Sequence, residues 1–225
     1  MARRQYQRQL DELRTDVCQM ADLVLDRYDD ALAAYETGDE ALAQAVIEGD
    51  HDINERYLDL EGTCIELLAL QQPVAGDLRV IASSFKIVTD LERIGDLATN
   101  IAGYGVEDTE THRSMQDLRE IGETAGKMVR AAIAVYEAGT AEETWEIAAR
   151  DDDLDDACRT ASERLVRDLI ADDPSTLTDA EREVLLADVS RTLLMIRDVE
   201  RVGDHAVNIC ARTLYMLEND DGLIY

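Results

Sequence analysis

The sequence has little proline, few aromatic residues and almost no lysine. Its 225 residues contain 2 Pro and 4% aromatics, and lysine occurs only as Lys86 and Lys127. Proline interrupts helices, so its scarcity permits long ones, and the abundant Ala, Leu, Val and Ile suit aliphatic helix cores. No segment combines strand-like alternation with regularly spaced turns. The sequence therefore predicts an all-α protein.

Cysteine and long apolar runs are also scarce. None of the 4 Cys residues forms a C-x-x-C pair, which argues against a zinc finger. Their wide spacing and the lack of a signal peptide predict reduced thiols and a cytoplasmic protein. No run of about 18 apolar residues is present, so we expect no membrane-spanning helix and a membrane association only through a partner.

Positive charge is in short supply as well. The chain has 50 Asp and Glu against 22 Lys and Arg, a formal net charge of −28. Phosphate backbones repel such a chain, which excludes a general DNA or RNA binder. An Asp-rich, Lys-poor composition with large negative charge is typical of proteins adapted to concentrated salt. We therefore expect a halophilic source; the alternative is an ordinary acidic protein.

This expectation predicts that the melting temperature rises in molar KCl relative to low salt, because salt screens the repulsion between acidic side chains. Thermal unfolding followed by circular dichroism in the two buffers measures the difference. Equal melting temperatures would contradict the halophilic interpretation.

Glycine, proline and capping residues divide the chain into six predicted helices. Gly38 and Gly139 mark helix ends, and Thr178 with Glu181 forms a predicted capping box. The predicted helices cover about residues 3–36, 39–70, 75–104, 114–138, 141–171 and 179–217. Short connections make successive helices antiparallel neighbours. We expect two tandem three-helix bundles, the first in residues 1–108 and the second in residues 109–225.

The second half repeats the first. Residues 90–101 align with residues 198–209 at an offset of 108, and eight of the twelve positions are identical. Residues 50–53 align with residues 151–154 at an offset of 101. Such self-similarity indicates duplicated three-helix units.

Acidic residues four positions apart recur within the duplicated segments and therefore share a helix face. Antiparallel pairing of the second helix with the third, and of the fifth with the sixth, brings these faces opposite each other. Clustered carboxylates on facing helices are how bundles bind hard or borderline divalent metals. The predicted metal ligands are Asp50, Asn54, Glu92 and Asp96 in the first half, and Asp151, Asp155, Glu200 and Asp204 in the second.

The alternative for these residues is a solvated acidic face, or carboxylates paired with Arg93 and Arg201. Gly95 and Gly203 favour a ligand or a close helix contact, because glycine inside a helix costs about 0.5–1 kcal/mol relative to alanine. The Asn residues one further helical step along, Asn100 and Asn208, are expected to form hydrogen bonds between helices. His205 has no counterpart in the first half and is expected to be a lone exposed histidine.

Sequence motifs of catalysis are missing. There is no G-x-S-x-G, no phosphate-binding P-loop, and no Glu-x-x-His in the duplicated motif helices. We therefore expect a protein that is not an enzyme. A metal-dependent hydrolase or oxidase, and a metal-free helical interaction module, remain as alternatives.

The segments Glu92-Arg-Ile-Gly-Asp96 and Glu200-Arg-Val-Gly-Asp204, each followed by an Asn, resemble the signature of PhoU proteins. The connection in residues 70–79, Leu-Gln-Gln-Pro-Val-Ala-Gly-Asp-Leu-Arg, resembles the same family. The resemblance covers nearly the whole chain, including its division into two halves. It departs from the pattern at one position, because Asn54 stands where a second carboxylate is expected.

This resemblance implies a cytoplasmic negative regulator of phosphate uptake and phosphate-responsive signalling, built as two three-helix bundles. It implies binding to the ATPase subunit of the phosphate ABC transporter and to a signalling or transcriptional regulator, and a homodimer is compatible with it. It also implies divalent or trivalent metal ions, such as Fe, Mn, Zn or Ni, held by acidic motifs of the form E(D)xxxD.

Overall fold

Six long helices make up the fold. The computed structural model describes residues 2–70, 73–106, 115–171 and 177–224, and over these ranges it contains no strand. This confirms the prediction of an all-α protein. The helices are α1 (Ala2–Thr37), α2 (Glu40–Leu70), α3 (Ala75–Val106), α4 (Met115–Ala138), α5 (Thr144–Ala171) and α6 (Asp179–Glu218).

The helices form two three-helix bundles that lie side by side. α1, α2 and α3 pack together, as do α4, α5 and α6, and the two bundles meet through α3 against α6 and α1 against α4. α2 and α5 therefore lie at the outer edges of the molecule. The predicted pair of bundles is confirmed. The proposed boundary between residues 108 and 109 lies outside the described residues and stays a prediction.

An approximate two-fold axis relates the bundles. Hydrogen-bonding contacts pair Asp90 with His205 and Tyr104 with Asp198, so α3 and α6 run antiparallel. Interpolation between these contacts puts Gly95 level with Gly203, and these glycines are equivalent residues of the two repeats. The axis therefore passes between α3 and α6 at the level of the duplicated acidic motif.

Most helix ends follow the sequence signals. Gly38 has φ +65° and Gly139 has φ +67°, a backbone conformation that favours glycine after a helix. Thr178 and Glu181 form the predicted capping box at the start of α6. The predicted start of α5 at residue 141 was wrong. The backbone N–H and the hydroxyl of Thr144 both donate to the Ala141 carbonyl, at 3.2 and 2.8 Å, which closes a turn before the helix begins.

All four cysteines are free thiols, and three of them are buried in the bundles. Among the described helices, none combines the length and apolar character needed to cross a bilayer.

Candidate functional site

The structure brings the four predicted residues of the first half together at the contact between α2 and α3. We call Asp50, Asn54, Glu92 and Asp96 the first cluster. A Cβ atom at Gly95 would lie 3.0 Å from Ile53 Cδ1, so the missing side chain lets α2 approach α3 beside the acidic residues. Asn54 Nδ2 donates to Asp50 Oδ2 at 2.7 Å. The other oxygen, Asp50 Oδ1, is buried and has no hydrogen-bond partner.

The second half builds the same arrangement between α5 and α6. We call Asp151, Asp155, Glu200 and Asp204 the second cluster. A Cβ atom at Gly203 would clash with Leu154 Cδ2 and lie 3.0 Å from Asp151 Oδ1. That oxygen is again buried without a hydrogen-bond partner, as its repeat equivalent is in the first cluster. A buried carboxylate oxygen without a partner costs free energy, and the cost is taken at the same place in both repeats.

Electrostatic crowding is strongest in the second cluster. Burial, followed by the charges of Asp155 and Asp204, raises the pKa of Asp151 to about 6. Burial and neighbouring carboxylates also raise the pKa values of Asp155 and Glu200. Each of these groups ionises less readily than an isolated carboxyl. The second cluster is therefore a place where a proton or a cation is favoured.

The first cluster shows the same trend with one carboxylate fewer. Burial and then the charge of Asp96 raise the pKa of Glu92, while burial and then the charge of Asp50 raise the pKa of Asp96. The positive charge of Arg201, which lies on α6 in the other repeat, acts in the opposite direction on Asp96. The electrostatic environments of the two clusters therefore overlap across the contact between α3 and α6.

Arginine does not neutralise the clusters directly. Within the described part of the chain, no salt bridge joins an arginine to a carboxylate of either cluster. Arg201 Nη1 instead lies 4.0 Å from Asp198 Oδ1, and Arg93 is exposed. The alternative in which Arg93 and Arg201 pair with the acidic motif thus lacks the required contacts.

The donor set fits a hard or borderline cation by its chemistry, because it consists of carboxylate oxygens and one amide. The two buried carboxylate oxygens without partners, Asp50 Oδ1 and Asp151 Oδ1, point to the same conclusion. Their present positions do not complete a site: among the described residues no three His, Cys, Asp or Glu side chains are grouped so that they could hold an ion. Metal binding would need side-chain rotation, and the predicted ligand set stays a prediction.

A buried polar contact between the bundles was missed at the sequence level. His205 was expected to be a lone exposed histidine, and this was wrong: it is 5% exposed, and its Nδ1 lies 2.9 Å from Asp90 Oδ1 on α3. Asn208 Nδ2 donates to the same oxygen at 3.3 Å, which agrees with the expected hydrogen bond between helices. Asn100, its counterpart, is exposed.

The equivalent aspartate of the second repeat is also buried at this contact. Asp198 is fully buried and accepts a hydrogen bond from the Tyr104 hydroxyl at 2.8 Å. Asp90 and Asp198 are the identical first residues of the duplicated twelve-residue segment. That identity was the available signal, but the sequence does not show that α3 and α6 face each other.

Comparison with known protein families gives two matches along the chain. The family described as the PhoU domain matches residues 17–104 and 118–213. The chain is 35% identical to the phosphate-specific transport system accessory protein PhoU homolog of Pseudomonas putida, over 96% of this chain and 82% of that protein. It is 33% identical to the protein of the same name from Pseudomonas aeruginosa, over 96% of this chain and 87% of that protein.

Solved structures agree with the sequence comparison. The crystal structure of PhoU from Pseudomonas aeruginosa superposes with a TM-score of 0.87 at 32% identity, covering 96% of this chain and 100% of the other. The phosphate transport system regulatory protein PhoU from Streptococcus pneumoniae superposes with a TM-score of 0.85 at 26% identity, covering 96% of this chain and 98% of the other. The relatives are described as accessory or regulatory proteins, which agrees with the expectation that the chain is not an enzyme.

Proposed function

Because this chain belongs to the PhoU family, we propose that it is an accessory regulatory protein of a phosphate-specific transport system. The observation that carries the proposal is the similarity to the transport accessory protein of Pseudomonas putida over 96% of this chain. More specifically, we propose that the chain acts in the cytoplasm, binds the ATPase subunit of the phosphate transporter and lowers phosphate uptake. A signalling or transcriptional regulator is its second partner.

We further propose that the two acidic clusters bind divalent or trivalent metal ions. The support is the pair of buried carboxylate oxygens without partners and the raised pKa of Asp151. The second cluster has four carboxylates, whereas in the first Asn54 already satisfies one oxygen of Asp50. The second cluster is therefore expected to bind its metal more tightly.

Metal would act on partner binding through charge. A bound cation neutralises a cluster that is otherwise repulsive, and so changes the surface that a partner meets. A partner that binds the loaded state more tightly shifts the equilibrium towards it, and the same coupling raises the affinity for metal.

The metal proposal predicts that protein purified without chelator carries more than one equivalent of Fe, Mn, Zn or Ni by elemental analysis. The double variant Asp96→Ala/Asp204→Ala should lose most of it, because it removes one carboxylate from each cluster. Asp168→Asn, an exposed change on α5 away from the clusters, is the control and should keep the metal. Metal-free wild-type protein, or equal metal in all three proteins, would contradict the proposal.

The regulatory proposal is tested by co-purification with the ATPase subunit, with and without added metal. We expect a complex with the wild-type chain, and a weaker one after chelation or with the double variant. A complex of unchanged affinity without metal would reduce the function to a metal-free interaction module. If no complex forms under either condition, the transport role is wrong.

A further inference from the structure

Exposed apolar side chains are concentrated on two helix pairs, α2 with the start of α3, and α5 with α6. Among the described residues, the exposed large hydrophobic side chains, which are 37% to 76% exposed, lie on α2, α5, α6 or in the residues from Val74 to Leu78, and none lies on α1 or α4. Contiguous exposed apolar surface on a protein of this size commonly marks an interaction site.

On the first bundle they continue the face of the first cluster. Leu58, Ile65 and Leu68 follow Asn54 after about one, three and four helical turns, so they lie on one face of α2. Val74 and Leu78 precede Glu92 by about five and four turns and extend the corresponding face of the α3 segment. We call these five residues, Leu58, Ile65, Leu68, Val74 and Leu78, the first strip.

The second bundle has a matching strip. Val166 and Ile170 follow Asp155 on α5 after about three and four helical turns. Leu186 precedes Glu200 on α6 by about four turns. We call these three residues, Val166, Ile170 and Leu186, the second strip. The side chains of the two strips are between 40% and 76% exposed.

The two strips share two equivalent positions of the duplication. Ile65 corresponds to Val166 at the offset of 101, and Leu78 corresponds to Leu186 at the offset of 108. The repeats differ at many other surface positions, yet both expose an apolar side chain at these two. The approximate two-fold axis between α3 and α6 therefore relates one strip to the other.

The clusters and strips lie on one face formed by α2, α3, α5 and α6. The rise of an α-helix gives the distance of each strip from the two-fold axis. The sequence separation between Leu78 and Gly95 equals that between Leu186 and Gly203, and both amount to nearly five helical turns. At about 5.4 Å per turn, each leucine is about 26 Å from the level of the axis, on opposite sides. Between them lie the two acidic clusters, with seven carboxylates. The face thus has an acidic centre and an apolar strip toward each end.

We propose that this face binds a two-fold symmetric protein dimer, one subunit on each strip. A dimer presents the same surface twice, so a symmetric partner can contact two equivalent strips at once. Each subunit of the dimer must present an apolar patch about 26 Å from the dimer axis, opposite one strip. The inference rests on the proposed accessory role and names the surface and symmetry of the partner.

The test uses the ATPase subunit of the phosphate transporter as the probe. Light scattering of the purified complex measures its mass, and calorimetry measures its affinity. We expect one chain bound to two ATPase subunits. The variants Ile65→Gln/Leu78→Gln and Val166→Gln/Leu186→Gln each alter one strip at equivalent positions. Each should weaken binding by about tenfold or more, and by similar factors, because each removes one of two linked contacts.

The matched control is Val184→Gln/Leu194→Gln, which makes the same kind of change at exposed apolar positions of α6 outside the strip. It should leave the affinity unchanged, and melting curves should show that all variants fold. A one-to-one complex, or equal weakening by the control, would overturn the inference while leaving the accessory role intact. Strip variants that bind the ATPase subunit as tightly as the wild type would do the same. A self-associating chain that the strip variants make monomeric would assign the strips to a second copy and also overturn it. No complex with wild-type protein would overturn both proposals.

Discussion

Replacing Asp90 with alanine is expected to lower the free energy of unfolding by about 3 kcal/mol, because the buried His205 and the half-buried Asn208 lose their shared partner. Asp90 Oδ1 is within hydrogen-bond distance of both His205 Nδ1, at 2.9 Å, and Asn208 Nδ2, at 3.3 Å. His205 is 5% exposed, so water cannot readily replace the lost contact. Urea unfolding of the variant and the wild type measures the change.

The double variant Asp90→Ala/His205→Leu is the control for this prediction. Leucine is the residue that the first repeat has at the equivalent position, Leu97, where it is buried. Replacing Asp90 and His205 together with apolar residues should restore much of the stability, because the buried ring without a partner is then gone and the half-buried Asn208 is partly hydrated. A change below about 0.5 kcal/mol for Asp90→Ala, the range typical of surface substitutions, would show that the contact contributes little.

Replacing Asp151 with asparagine is expected to stabilise the metal-free chain at pH 8. Burial and the surrounding carboxylates raise the pKa of Asp151 to about 6, so its ionised form is disfavoured in the folded state. Above that pH Asp151 is ionised, and the wild-type fold is destabilised by the full free-energy cost of that charge. Asparagine carries no charge and avoids this cost. The side chain is partly exposed and the repulsion is screened, so the expected gain is roughly 1 kcal/mol.

The stability gain of Asp151→Asn should depend on pH. A carboxyl group whose pKa is higher in the folded than in the unfolded chain destabilises the fold above its folded pKa, and this cost disappears as pH falls towards the unfolded value of 3.8. The advantage of Asp151→Asn should therefore be largest at pH 8 and shrink between pH 6 and 4. Thermal unfolding in chelator at several pH values measures it, with Asp168→Asn as a control that removes an equal charge from an exposed position of α5. If Asp168→Asn raised the stability by the same amount at every pH, the gain would come from net charge alone and the prediction would be wrong.

Local sequence signals were sufficient for the helices and for the grouping within each repeat. Gly38, Gly139 and the Thr178 cap mark the helix ends, and the spacing of the acidic residues brings each cluster together once α2 runs against α3 and α5 against α6. The contact between the bundles had no such local signal. It depends on which faces of α3 and α6 meet, and this is why His205 was wrongly expected to be exposed. The start of α5 was missed because the turn before it depends on the Thr144 side chain.

The approximate two-fold axis also describes how a chain of this kind can arise. A half-length chain with one repeat would meet a second copy through α3 and α1, in the self-complementary contact typical of symmetric dimers. In such a dimer every substitution would appear twice. Joining the repeats in one chain removes that constraint, because each side of the contact can change alone. The two sides of the contact do differ in this chain. His205 lies within hydrogen-bond distance of Asp90, whereas the residue equivalent to His205 in the first repeat is Leu97. Asp198 instead accepts its hydrogen bond from Tyr104.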